Sequence, residues 1–171
     1  DHLRISGQIG DTSGVDRAIT LVFALPVDAT GWMWHDDVRH SRTIRPKQEY
    51  INGTDIGTGA MGTMSLYPWA VITDDTAGLA IGLDMDLPGQ YRIGYNAGTR
   101  QLFIAYDFGL TPETQNFPSR APFAFMVYPT DPAWGFRAAA KTFYALFPDQ
   151  FRCRSQDQGI WMPFTDVSTV E

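Results

Sequence analysis

Cysteine is almost absent from this chain, since Cys153 is the only one among 171 residues. A single thiol cannot close an internal disulfide, and it cannot supply the several thiolates of a structural zinc site. No histidine lies near Cys153 in the sequence, so the pairing that would activate it as a nucleophile is not predicted. Disulfide-stapled and thiolate-metal folds are therefore excluded.

Positive charge is also scarce, with 13 basic residues against 19 acidic ones and a net charge of −6. Such a chain repels a phosphate backbone on average, so nucleic acid is not an expected partner. The longest apolar runs, 18–27 and 77–83, fall far short of the ~20 residues that a membrane helix needs. No basic amphipathic stretch indicates a membrane surface, so no membrane partner is expected.

Glycine and proline, by contrast, are frequent and separate many short apolar segments. A spacing of about ten residues between such segments is typical of an antiparallel meander. The segment 18–25 is a nearly continuous apolar run, which predicts a strand buried on both faces. The segments predicted as strands are 3–10, 18–25, 43–44, 49–51, 64–73, 78–85, 90–96, 101–108 and 123–128.

One helix is predicted near the end of the sequence. Asp131 is a suitable N-cap, Pro132 suits the first helical position, and Pro148 stops the helix. One apolar stripe runs along the predicted helix through Phe136, Ala140, Phe143 and Phe147. The predicted fold is therefore mainly β, an antiparallel β-sandwich formed by residues 1–171 as a single domain, with one C-terminal α-helix packed on a sheet.

A cluster of tryptophan and charged residues between 31 and 40 predicts a carbohydrate site. In an extended segment Trp32 and Trp34 share a face, where they could stack on the C–H faces of a sugar. Trp69 could extend this aromatic platform, while neighbouring charged side chains bind hydroxyl groups. The predicted carbohydrate-binding residues are Trp32, Trp34, Asp36, Asp37, Arg39 and Trp69. The alternative is that the tryptophans are core residues and the charges a solvated rim.

The same segment leaves a catalytic alternative open. Asp36 or Asp37 could act as acid or base together with His35 or His40. Glycoside hydrolysis needs two carboxyl groups roughly 5–10 Å apart, and adjacent strand residues point to opposite faces. A second carboxylate would have to come from Asp84, Asp86 or Asp107. The spacing of the two histidines suits neither a helix face nor a strand face, so no metal site and no cofactor is predicted.

Four sequence motifs together resemble a known domain type. They are Asp-Arg-Ala-Ile-Thr at 16–20, Ala-Leu-Pro-Val at 24–27, Gly-Trp-x-Trp-x-Asp-Asp at 31–37, and Trp-Gly-Phe-Arg-Ala-Ala at 134–139. This pattern resembles the β-supersandwich domain of galactose mutarotase type that precedes the catalytic barrel in glycoside-hydrolase-like proteins. The resemblance covers about residues 3–164.

The resemblance implies different roles for two domains. In such proteins the catalytic carboxylates belong to the barrel, while the sandwich packs against it and helps to shape the sugar site. The chain is thus expected to be a fragment of a larger glycoside-hydrolase-like protein. The sequence does not determine the location of that protein, and an extracellular or periplasmic location stays open. Within that protein, the chain would be a non-catalytic accessory domain, which binds an oligo- or polysaccharide or supports an adjoining catalytic domain in cis.

Two alternatives to this accessory role remain open at the level of sequence. One is a stand-alone sandwich-type enzyme, an epimerase, lyase or hydrolase that uses Asp36 or Asp37 with a histidine. The other is a purely structural domain without a ligand. The hypothesis of a purely structural domain predicts that Trp32, Trp34 and Trp69 are all buried.

Overall fold

The computed structural model describes residues 1–54, 64–87 and 89–155, and this part of the chain contains ten β-strands and one α-helix. The strands are β1 (Leu3–Gly10), β2 (Arg17–Pro26), β3 (Met33–His35), β4 (Ser41–Thr43), β5 (Glu49–Ile51), β6 (Trp69–Thr73), β7 (Gly78–Leu83), β8 (Gln90–Asn96), β9 (Gln101–Leu110) and β10 (Arg120–Pro129). The helix is α1 (Gly135–Leu146). The prediction of a mainly β chain with one C-terminal helix is confirmed for the described residues.

The strands form two antiparallel sheets that pack face to face. The six-stranded sheet has the order β1-β10-β7-β6-β3-β4, and the four-stranded sheet has the order β2-β9-β8-β5. Between them lies the sandwich core, to which both sheets contribute large buried side chains. Its fully buried members include Trp34, Tyr50, Ile72, Tyr95, Leu102 and Ile104. The antiparallel β-sandwich predicted from the sequence is therefore present.

Helix α1 adds a third layer on the outer face of the six-stranded sheet. Phe136, Ala139 and Phe143 pack there against Trp69 and Val71 of β6 and form a second core, the helix core. The apolar stripe predicted for this helix thus packs on a sheet, as expected. Among the described residues, no helix is both long and apolar enough to cross a bilayer.

Strand β6 is buried at all five positions, and it separates the two cores. Ala70 and Ile72 point into the sandwich core, whereas Trp69 and Val71 point into the helix core. Because successive side chains of a strand point to opposite faces, one short strand serves both cores. The prediction of burial on both faces fits β6 rather than the segment 18–25, for which it was made.

Strand β2, which contains the segment 18–25, is buried less than predicted. Its residues alternate between exposed and half-buried, and Val22 is 54% exposed. The reason is its position, since β2 lies at the edge of the four-stranded sheet. The outer face of that sheet carries no helix among the described residues, whereas α1 covers the other sheet. Apolar composition alone therefore misidentified the doubly buried strand.

Helix α1 begins later than the sequence predicted. Asp131 is not its N-cap; Trp134 is, and the first helical residue is Gly135. The Asp131 carboxylate instead accepts the backbone N–H of Ala133 at 3.0 Å, and its carbonyl oxygen accepts the N–H of Gly135 at 3.0 Å. Asp131 therefore caps a separate turn, which ends where Gly135 takes a positive φ of 44°.

Candidate functional site

The predicted platform of three tryptophans does not form. Trp34 is 0% exposed in the sandwich core, and Trp69 is 4% exposed in the helix core. These two indoles therefore lie on opposite faces of the six-stranded sheet, and neither can stack on a sugar. Trp32 is half-buried against the sandwich core. For Trp34 and Trp69 the core alternative considered above is correct, because Trp34 points between the two sheets and Trp69 points under α1.

The predicted polar residues do come together, in the turn 36–40 that joins β3 to β4. Asp36 accepts two hydrogen bonds from Arg42, from Nε at 2.7 Å and from a terminal nitrogen at 2.6 Å. The guanidinium of Arg42 lies 5.1 Å from the centre of the Tyr50 ring. Such a bidentate pair holds both side chains in fixed positions. Asp36 therefore braces the hairpin.

Asp37 is held by three N–H groups of its own turn. Its Oδ1 accepts the backbone N–H groups of Arg39 at 2.6 Å and His40 at 2.8 Å. Its Oδ2 lies 2.7 Å from Nδ1 of His40. The bond to the His40 side chain, followed by the Arg39 N–H, lowers the pKa of Asp37 to about 2. The carboxylate therefore stays ionised and is a weak proton acceptor near neutral pH.

The Asp37–His40 contact predicts a measurable shift of the imidazole. The hydrogen bond that His40 donates to the Asp37 carboxylate, and then the negative charge of that carboxylate, raise the pKa of His40 above the usual 6.5. Nuclear magnetic resonance titration is expected to show this raised pKa and its decrease in Asp37→Asn. The stabilisation by the charged pair is present below pH 6.5 and is lost as the pH rises through the raised pKa.

His35 is the internal reference for this titration, because burial lowers its pKa instead. It should titrate below His40 in the wild type and stay nearly unchanged in Asp37→Asn. Equal pKa values for His35 and His40 in the wild type would contradict the described geometry.

His35 also lies against the first residue of the helix. Its Nε2 lies 2.9 Å from Oγ1 of Thr73, which holds the ring on the outer face of the six-stranded sheet. A Cβ atom added to Gly135 would lie only 2.3 Å from Cε1 of His35. Glycine is required here both for this close approach and for the positive φ. The start of α1 therefore lies against His35 of β3, next to the turn 36–40.

Trp134 is the exposed indole of this region, and the sequence analysis did not select it. It is 62% exposed and lies immediately before Gly135. Its helical phase could have indicated this, because Trp134 falls outside the apolar stripe that contains Phe136 and Phe143. The result is an aromatic surface at the junction of α1 with the turn 36–40.

Two grooves meet at Trp134. The turn-side groove has a volume of about 330 Å³ and leads towards the turn 36–40. The helix-side groove has a volume of about 770 Å³ and follows the surface of α1. The turn-side groove is lined by residues that include His35, Asp37, Arg39, His40, Trp134 and Arg137. The helix-side groove is lined by residues that include Thr130, Asp131, Trp134, Arg137, Lys141 and Thr142.

The remaining carboxylates considered for catalysis line neither groove. Asp84 accepts a hydrogen bond from Nε of Arg4 at 2.7 Å, and Asp107 forms an ion pair with Arg92. Asp86 accepts a hydrogen bond from the Gln150 side chain at 2.6 Å. Within the described residues, no group of three or more histidine, cysteine or acidic side chains is arranged to hold a metal ion.

Comparison with known proteins assigns no family. No protein-family model matches this chain, and no curated protein and no solved structure matches it significantly. The resemblance to a galactose mutarotase-like domain therefore stays a prediction from the sequence motifs.

Proposed function

We propose that this chain is a non-catalytic accessory domain of a glycoside-hydrolase-like protein, and that it binds an oligo- or polysaccharide across Trp134. The observation that supports this most is the 62% exposed indole between two grooves. In the proposed protein the domain also supports an adjoining catalytic domain, as the sequence resemblance implies. The indole of Trp134 takes the role that the sequence analysis gave to Trp34 and Trp69.

The surroundings of Trp134 suit a sugar ligand. An indole offers a large apolar face at a small cost in side-chain entropy, and the C–H face of a pyranose can stack on it. The turn-side groove adds hydrogen-bonding groups of both kinds, with the Asp37 carboxylate as an acceptor and the exposed Arg39 as a donor. Two of the predicted polar residues thus keep their proposed role, and Asp36 has a bracing role.

Binding is favoured over catalysis by the state of the carboxylates in this region. Asp37 is held by three N–H groups, and Asp36 by the guanidinium of Arg42. A general base needs a pKa near the working pH. The pKa of Asp37 is lowered to about 2, so it is a weak proton acceptor, and both carboxylate oxygens of Asp36 are bound to Arg42. The stand-alone enzyme is therefore the less supported proposal.

The proposal predicts that Trp134→Ala weakens binding of a recognised glycan by at least about tenfold, because stacking and buried apolar area are lost together. The variant should keep its fold, since the indole is mostly exposed. A glycan array identifies the ligand, and calorimetry with the purified domain measures its affinity.

The matched control is Phe117→Ala, which removes an aromatic ring that is 51% exposed and lines neither groove. It should leave the affinity unchanged. If Trp134→Ala bound the glycan as tightly as the wild type, or if no polysaccharide bound at all, the proposed function would be wrong.

A further inference from the structure

The helix-side groove is bordered by two cations without a partner. Helix α1 contains Arg137 and Lys141 and no acidic residue. Both side chains are exposed, and neither forms an ion pair with a carboxylate of the described residues. Other exposed cations, such as Lys47 and Arg120, also form no ion pair with the described residues, but they do not line this groove. On a chain with a net charge of −6, this groove is a local concentration of positive charge.

The two cations share one side of the helix with the exposed indole. Trp134, Arg137 and Lys141 follow one another at spacings of three and four residues, which places them on one helix face. All three line the helix-side groove, together with the hydroxyl-bearing residue Thr142. Asp131 is the acidic residue in the lining, and its carboxylate accepts the backbone N–H of Ala133. The lining therefore carries two positive charges against one negative charge.

From this arrangement we infer that the helix-side groove selects an anionic sugar, whose ring carries a carboxylate or sulfate group. The inference rests on the proposed function and narrows its ligand. A guanidinium binds such groups through paired N–H donors, and an ammonium adds a compact charge. The indole of Trp134 contacts the sugar ring at the same time. An acidic peptide would pair with Arg137 and Lys141, but it would provide no sugar ring to stack on the Trp134 indole.

The test compares matched oligosaccharides by calorimetry on the same domain. The probes are an oligogalacturonate, a sulfated galactan fragment and a neutral galactan fragment of equal length. At least one anionic probe should bind about tenfold or more tightly than the neutral one, and added salt should weaken that binding, because exposed charge pairs are screened. The two anionic probes distinguish carboxylate from sulfate recognition.

Variants that remove one positive charge test whether Arg137 and Lys141 cause the preference for anionic sugars. Arg137→Gln and Lys141→Gln should each weaken the anionic probe by about fivefold, as for partly exposed charge pairs, and weaken the neutral probe clearly less. Trp134→Ala should weaken both kinds of probe. Arg120→Gln and Lys47→Gln remove exposed cations that line neither groove, and they should change nothing.

The outcomes separate this inference from the proposed function. Equal affinity for neutral and anionic probes, unaffected by substitution of Arg137 or Lys141, would overturn the inference and leave sugar binding intact. Polyglutamate binding as tightly as the anionic sugars, with no effect of Trp134→Ala, would overturn the inference in favour of an acidic polypeptide. Failure to bind any glycan would overturn both.

Discussion

Replacing Trp34 with alanine is expected to lower the free energy of unfolding by about 3–5 kcal/mol, the usual range for a large buried aromatic residue. The side chain is 0% exposed, and its ring centroid lies 6.1 Å from that of Tyr50. Its Nε1 donates to Oδ1 of Asn52 at 2.9 Å, so the substitution leaves both a cavity and an acceptor without its donor. Urea denaturation followed by fluorescence and circular dichroism measures the loss.

The comparison variant for Trp34→Ala is Trp134→Ala, which removes the same side chain from an exposed position. Its effect on stability should stay within about 0.5 kcal/mol, as is usual for surface sites. The two variants thus separate stability from binding. A Trp34→Ala protein with wild-type stability and weakened glycan binding would contradict the described packing and restore the role predicted from the sequence.

Replacing Phe143 with alanine is expected to cost a similar 3–5 kcal/mol or so, and to impair the sugar site as well. Phe143 is 0% exposed, and its ring lies 5.0 Å from that of Trp69. A Cβ atom on Gly82 would come within 2.8 Å of the Phe143 ring, so the ring fills the space above this glycine. Removal of the Phe143 ring weakens the packing of α1 on the sheet, and Trp134 at the start of α1 is then held less firmly. Denaturation and glycan binding are measured on the same preparation.

The adjacent Tyr144 is the control for this helix. It is 46% exposed, so Tyr144→Ala should cost clearly less stability than Phe143→Ala. The reverse order would show that α1 packs on the sheet through a different face. A Phe143→Ala domain that is destabilised but binds glycan normally would show that the position of Trp134 does not depend on the helix core.

Much of the fold could be predicted from local patterns. Short segments bounded by glycine and proline became strands, and the stripe from Phe136 to Phe147 became the buried side of a helix. The degree of burial could not be predicted in this way. The run 18–25 is as apolar as β6, but it lies at a sheet edge. Burial depends on which layers cover a strand, and that is a property of the tertiary structure.

The candidate site was predicted in part, and for an understandable reason. Asp37 and Arg39 are close in sequence, so the turn that keeps them at the surface is a local feature. Trp34 and Trp134 cannot be distinguished by composition, since both are tryptophans with charged residues within three positions in the sequence. Their positions on the secondary structure distinguish them. Trp34 lies on the inner face of β3, in the sandwich core, whereas Trp134 lies outside the apolar stripe of α1.

Because β6 belongs to both cores, it links ligand binding near α1 to the stability of the sandwich. Since its neighbouring residues belong to different cores, loosening of the helix layer uncovers Trp69 and Val71 on a strand whose other face forms part of the sandwich core. A ligand that binds Trp134 and α1 only in the folded state is therefore expected to raise the melting temperature of the whole domain. A ligand that binds in the helix-side groove is therefore expected to stabilise the buried strand β6 together with the rest of the domain.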